Sequence, residues 1–230
     1  MSIVNASTAI RLETPVGVAI DSRRVAVPLH GSARYLLNRD TFLQFEQFIP
    51  VLQRTIGKKR FLHSLGAMHY AIALADRHGE DLVRATAAGL FHDCGRLREI
   101  GQIEAETKRR GLTLPAEDRP FAKVWHAWLS AHMAKDDFAI TDEAVLQAIR
   151  LHPTGDANMS RLDKIIFLAD YMEPTRCFDG LKELRALAEE DLDGALRSAL
   201  EHKLRYVQSL GRLLHPRSLR ALAAAGGTLT

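Results

Sequence analysis

The sequence predicts an all-α helical bundle, and two observations carry the prediction. From Asp40 onward apolar residues recur at helical spacing and the pattern does not change. The apolar stretches are also punctuated as helices are, with Asp, Ser or Thr at their starts and Gly at several of their ends.

Residues 1–39 read differently. Val16 to Leu29 is valine-rich between Pro15 and Pro28 and suits an irregular arm or one or two short strands. Asp40 or Thr41 can cap a helix carrying Phe42, Phe45, Phe48 and Ile49, which Pro50 should kink or end. Lys58 to His78 reads as a long amphipathic helix with Phe61, Leu65, Met68, Ile72 and Ala75 on one stripe and Gly79 as its stop. Asp81 to Phe91 is the next helix and delivers His92-Asp93 at its C-terminal end.

Glu99 to Arg110 forms a charged helix, and residues 113–119 a polar loop. Phe121 to Lys135 places Val124, Trp125, Trp128, Leu129 and Met133 at helical spacing. Asp142 can cap the helix to Leu151, and Ser160 with Asp163 resembles a capping box opening the helix to Met172. Helices over about Leu181 to Glu190 and Leu192 to Leu210 complete the bundle before a tail containing Pro216. The expected organisation is an extension at 1–39, a linking helix at 40–57, one domain at 58–219 and a tail at 220–230.

Composition bounds the function. The 230 residues carry 31 basic and 28 acidic side chains, a net charge of only +3, which does not by itself argue for nucleic acid. Two cysteines, Cys94 and Cys177, make no disulfide framework and suit a reducing compartment. No apolar run is long enough to span a bilayer, and Met1 to Thr14 lacks a signal-peptide layout, so a cytoplasmic protein is expected. A homodimer is left open.

The chemistry-bearing residues are His63, His92-Asp93, His126, His152 and Asp170. Each has a plain structural use when taken singly: a hydrogen-bonded core histidine, or a solvated carboxylate at a helix end. Jointly they place imidazoles and carboxylates on inward-looking helices, where burial is costly unless something positive pairs with them. Two histidines and two aspartates suit Fe²⁺, Mn²⁺, Co²⁺, Ni²⁺ or Zn²⁺ with open positions for water and a phosphate oxygen. His126 and His152 then either hold a second ion or stay free to meet phosphate oxygens. Arg96, Arg150, Lys164 and Arg176 are candidate phosphate holders, while His69, His78, His132 and His202 fit surface or packing roles.

The order His63…His92-Asp93…Asp170 resembles the signature of the HD metal-dependent phosphohydrolases. Arg60-Phe61-Leu62-His63-Ser64-Leu65-Gly66, Ala88-Gly89-Leu90-Phe91-His92-Asp93 and Asp170-Tyr171-Met172-Glu173-Pro174-Thr175-Arg176 sharpen this to the YqeK-type HD proteins, over about residues 58–219. That resemblance implies an HD-domain bundle and symmetrical hydrolysis of diadenosine tetraphosphate, a dinucleoside polyphosphate, into two ADP, with iron at the site. It implies metal ligation by His63, His92, Asp93 and Asp170, and a catalytic part for Asp93, His126 and His152. Substrate contacts are implied for Arg96, His126, His152, Arg176, Leu213 and His215. It favours one ion, with His126 and His152 on phosphate.

Where the family usually has an aromatic, a small residue and lysine after the His-Asp pair, this chain has Cys94-Gly95-Arg96; Ala127 and Pro153 are further departures. Alternatives are another HD nucleotide hydrolase (5′-nucleotidase, deoxynucleotide triphosphohydrolase or cyclic-dinucleotide phosphodiesterase) or a non-catalytic nucleotide-sensing module.

Overall fold

The computed structural model describes residues 44–229. The valine-rich arm and the proposed cap at Asp40 or Thr41 lie outside the described residues. Those described form helices α1 (Ile49–His78), α2 (Leu82–Phe91), α3 (Ile100–Arg109), α4 (Trp125–Phe138), α5 (Glu143–Leu151), α6 (Arg161–Met172), α7 (Leu181–Glu190), α8 (Leu192–Ser209) and α9 (Pro216–Ala224). A 3₁₀ turn, Ala122–Val124, leads into α4, and no strand occurs among the described residues. None of these helices is long and apolar enough to cross a membrane.

The starts follow from side chains that supply acceptors to unpaired helical N–H groups. Asp81 accepts from Val83 and Arg84 at α2, Asp142 from Ala144 at α5, and Asp191 from Asp193 and Gly194 at α8. Ser160 and Asp163 form the reciprocal box expected at α6.

Two prolines open helices. The helical turn at residues 44–46 ends ahead of Pro50, as expected, and Pro50 itself lies in the first turn of α1, where its missing N–H has no intrahelical partner to lose. α1 is kinked at Gly57, whose φ of 75° leaves the helical region. Pro216 likewise opens a helix: α9 occupies the stretch expected to be tail, with His215 capping it through Nδ1, which accepts from the Arg217 N–H. α9 is pinned by Arg217, which donates to Glu117 and to Asp118, and by Arg220, which donates to Glu117 and Asp156.

α1 packs against α2 and α6, α5 joins α4 to α6, and α7 and α8 cover α6. Phe91 stacks on Phe138 with ring centroids 4.7 Å apart, and Phe45 and Phe48 meet its edge. Ile49, Leu52 and Ile56 are buried in the same core, so the helical segment before Gly57 packs onto the bundle. The α1–α2 contact depends on Gly89, where a Cβ would lie 2.6 Å from the Met68 Cα. That close approach sets two histidine-bearing helices side by side.

Candidate metal centre

Five of the helices named above, or the turns that end them, send residues to one buried space. His63 comes from the middle of α1, His92 and Asp93 from the end of α2, His126 from the first turn of α4, His152 from the end of α5, and Asp170 from the last turn of α6. His92, Asp93 and His152 are fully buried, and His63 and His126 nearly so.

One local device orients three of the rings. His92, His126 and His152 each donate from Nδ1 to the carbonyl three residues back: Gly89 at 2.8 Å, Lys123 at 2.7 Å and Ile149 at 2.8 Å. For His92 and His152 that carbonyl is one that the ending helix leaves without an intrahelical partner. His63 donates from Nδ1 to Glu173 Oε1 at 3.1 Å. With Nδ1–H committed, each ring keeps its Nε2 lone pair for the centre.

The distances show what those lone pairs face. His63 Nε2 is 3.1 Å from His92 Nε2 and 3.1 Å from Asp170 Oδ1, and His126 Nε2 is 3.1 Å from His152 Nε2. Asp93 divides its oxygens. Oδ2 lies 3.5 and 3.6 Å from the Nε2 atoms of His63 and His92, while Oδ1 lies 3.2 and 3.6 Å from those of His126 and His152. Asp93 Oδ1 is buried and has no hydrogen-bond donor among the described residues.

Acceptor set against acceptor in a buried space is unfavourable without a cation. Two donor groups lie within metal-binding reach, His63-His92-Asp170 and His92-Asp93-His152. Neutral imidazole and ionised carboxylate are the donors that borderline divalent ions take, so the residues fit such an ion.

Electrostatics agree. Burial opposes ionisation of Asp93, yet the imidazoles of His92, His126 and His152 hold its carboxyl well below the usual range. Asp170 is also held well below it against burial, chiefly by the bond to His63. Burial pushes His126 down and takes His92 to about 3, so both are neutral, as metal ligands require.

Cations rim the centre. Arg176 donates to Asp170 Oδ1 at 2.9 Å, and Arg96 Nη1 stands 3.8 Å from Asp93 Oδ1. Arg60, not among the candidates the sequence singles out, donates to Asp93 Oδ2 at 2.8 Å; its position three residues before His63 puts both on one helix face. Glu173 is a second addition. Besides His63 it accepts from the Thr175 N–H at 2.7 Å, and a Cβ on Gly66 would lie 2.7 Å from its Oε2.

Other candidates are not brought here. Arg150 pairs with Glu143 and Lys164 with Asp193. Leu213 is exposed, on the connection between α8 and α9. His215 lies against the Phe121 ring and 2.9 Å from Asp118, and neither residue has a hydrogen bond, ion pair or ring contact to the six central residues. The tripeptide after His92-Asp93 divides its work. Cys94 Sγ donates to the Ser130 carbonyl and the Gly95 N–H to the Ser130 hydroxyl, which packs the turn onto α4 and leaves Arg96 at the rim.

Comparison with known proteins gives this geometry its family. The HD domain family model matches residues 60–175. The chain is 34% identical to a Bacillus subtilis protein named symmetrical bis(5′-nucleosyl)-tetraphosphatase, over 74% of this chain and 91% of the relative. A Halalkalibacterium halodurans protein of the same name is 38% identical over 74% and 91% of the two chains. A crystal structure from Clostridium acetobutylicum, described as a predicted HD superfamily hydrolase involved in NAD metabolism, superposes with a TM-score of 0.74 at 38% identity, covering 79% of this chain and 96% of that one. The chain belongs to the HD-domain family, in its YqeK-type branch of symmetrical bis(5′-nucleosyl)-tetraphosphatases.

Proposed function

We propose that this protein hydrolyses diadenosine tetraphosphate symmetrically into two ADP at the centre formed by His63, His92, Asp93, His126, His152 and Asp170. The observation that carries the reading is the convergence of four Nε2 lone pairs and two ionised carboxylates on one buried space rimmed by Arg96 and Arg176. The names of the relatives supply the substrate.

In this reading His63, His92, Asp93 and Asp170 hold a divalent ion, with iron as its identity. Such an ion supplies Lewis acidity, making water a nucleophile near neutral pH and offsetting charge on phosphoryl oxygens. Asp93, ionised and fully buried, is placed to accept the proton of the attacking water. His126 and His152 turn Nε2 to the same space and take up phosphate oxygens as charge develops on them, one of the two accepting a proton for that purpose. Arg176 and Arg96 bind the chain of phosphates through planar donors. Attack beside the central bridging oxygen releases ADP from either half of a symmetrical substrate.

The division of Asp93 favours a second reading with two ions. With Oδ2 toward one histidine pair and Oδ1 toward the other, Asp93 would help to hold both ions, and His126 and His152 would be the further ligands of the second. Metal counting decides: His126→Ala with His152→Ala should halve a stoichiometry of two and leave a stoichiometry of one unchanged.

The test of function is anaerobic incubation with Fe²⁺ and diadenosine tetraphosphate, with products resolved by chromatography. ADP as sole product is expected. ATP with AMP, or hydrolysis only of mononucleotides or cyclic dinucleotides, rejects the symmetrical cut.

A further inference from the structure

Lys203 belongs to α8, a helix that sends none of the six central residues inward, and its ammonium nevertheless reaches the segments that do. Nζ donates to the Pro153 carbonyl at 2.8 Å, and Pro153 directly follows His152. The same Nζ lies 4.6 Å from the centroid of the Phe167 ring and 5.8 Å from that of Tyr171, residues three before and one after Asp170. One lysine stem from α8 thus threads between the carriers of His152 and Asp170.

Among the described residues this lysine has no carboxylate partner. Lys164, on the neighbouring helix, pairs with Asp193 at 2.6 Å, whereas Lys203 has one carbonyl and two ring faces. Two of its three N–H groups have no hydrogen-bond partner among the described residues. Burial pushes the ammonium down to about 8; the charge of Asp170 opposes that, and those of Arg176 and Arg96 add to it. The group stays cationic near neutral pH in a field it shares with both rim arginines.

A purely structural role, a lysine pinned on aromatic rings, accounts for the stem but not for the head. A partly buried ammonium with spare donors is costly unless an anion completes it. Lys203 bonds the residue after His152 and lies on two rings that flank Asp170, to which Arg176 donates, and the anion that suits cations so placed beside a metal centre is a polyphosphate.

We propose that Lys203 is a substrate-binding residue that holds a phosphate other than the one attacked, together with Arg176 and Arg96. The inference rests on the reading above that the substrate carries a chain of phosphates. It makes α8 part of the specificity apparatus: Lys203 favours a long phosphate chain over a single phosphate and leaves the attack itself to the central residues.

The test compares the Mn²⁺-loaded full chain with Lys203→Met, Lys203→Gln and Lys203→Arg. Inorganic tripolyphosphate and inorganic phosphate are titrated calorimetrically, and thermal midpoints are recorded. Met or Gln should weaken tripolyphosphate binding about tenfold or more, change phosphate binding less than about twofold, and be largely rescued by Arg. With diadenosine tetraphosphate, KM should rise by a similar factor while kcat stays within about twofold. Tripolyphosphate affinity unchanged in a folded Met or Gln variant overturns the proposal. If the wild type fails to cleave diadenosine tetraphosphate but the variants still lose tripolyphosphate, the substrate reading falls and the role of Lys203 stands. If cleavage is normal and tripolyphosphate binding is unchanged, the substrate reading stands and the role of Lys203 falls.

Discussion

His63 Nε2 and His92 Nε2 face each other at 3.1 Å although Nδ1 of each ring is already engaged, His63 with Glu173 and His92 with the Gly89 carbonyl. In that tautomer lone pair meets lone pair, so a cation has to sit between them. Without metal the cation is a proton. Burial works against it, yet the bonds to Asp170 and Glu173 raise His63 to about 9, while burial pushes its neighbour His92 down to about 3.

A divalent ion bound by His63 must displace that proton. The His63 value lies above its ordinary 6.5, so the metal-free centre is protonated at neutral pH and uptake of metal there releases about one proton. Apparent affinity should climb with pH until about 9 and then level off. Calorimetric titrations in two buffers of different ionisation enthalpy count the protons. No release near neutrality removes His63 from the ligand set.

Glu173 orients His63 and should tune the metal through it. Glu173→Gln is expected to weaken metal binding about 10- to 100-fold, measured against a chelator, with kcat at saturating metal close to wild type. Gly66→Ala should act in the same direction, because its Cβ would press on the Glu173 carboxylate at 2.7 Å and on Pro174 at 3.3 Å. Wild-type affinity in Glu173→Gln would confine Glu173 to holding the Thr175 turn.

Asp93 is the one residue that faces both histidine pairs. Asp93→Ala should abolish metal retention and lower activity by several orders of magnitude, while circular dichroism still shows a helical protein. An active, metal-loaded variant would sink the site assignment. Arg60 should lose its order in the same variant, since Asp93 is its partner.

How far these residues can be read in the sequence depends on the kind of signal each carries. His92-Asp93 and Asp170 end apolar runs, where a polar residue is conspicuous, and the capping residues Asp81, Asp142 and Ser160 mark the helices that bring them together. Glu173 is not legible, because a glutamate before proline at a helix end reads as solvated; only the packing that brings it to His63 gives it a partner. Lys203 sits in Glu201-His202-Lys203-Leu204-Arg205, which looks like an ordinary charged surface. Pro216 misleads in the same way. It reads as part of a tail, whereas a proline in the first turn begins a helix, and its neighbours on both sides decide between the two.

Arg176 binds Asp170 through its side chain and through the Asp170 carbonyl at 3.1 Å, which in the proposed function puts it on the phosphate chain. Arg176→Ala should leave metal stoichiometry intact and lower kcat/KM for diadenosine tetraphosphate about tenfold or more. Arg176→Lys should recover only part, since an ammonium lacks the fork that can serve carboxylate and phosphate together. Unchanged kcat/KM in the alanine variant takes Arg176 off the substrate.

Gly89 tests whether helix packing or local chemistry sets the centre. A Cβ there would lie 2.6 Å from the Met68 Cα and 3.1 Å from its backbone nitrogen, atoms of α1 that cannot rotate away as a side chain can. Gly89→Ala must therefore part α1 from α2, against a helix-propensity gain of only about 0.5–1 kcal/mol. The net loss in urea unfolding should be about 1–3 kcal/mol. Metal affinity should fall with it, since His63 rides on α1 and the Gly89 carbonyl itself aims the His92 ring. Gly101 provides the control: a Cβ there meets nothing within 4 Å, so Gly101→Ala on α3 should gain roughly the propensity term and leave metal binding untouched. If both variants are equally stable and bind metal alike, the closeness of α1 and α2 is incidental, and the Nδ1 anchors alone hold the histidines in place.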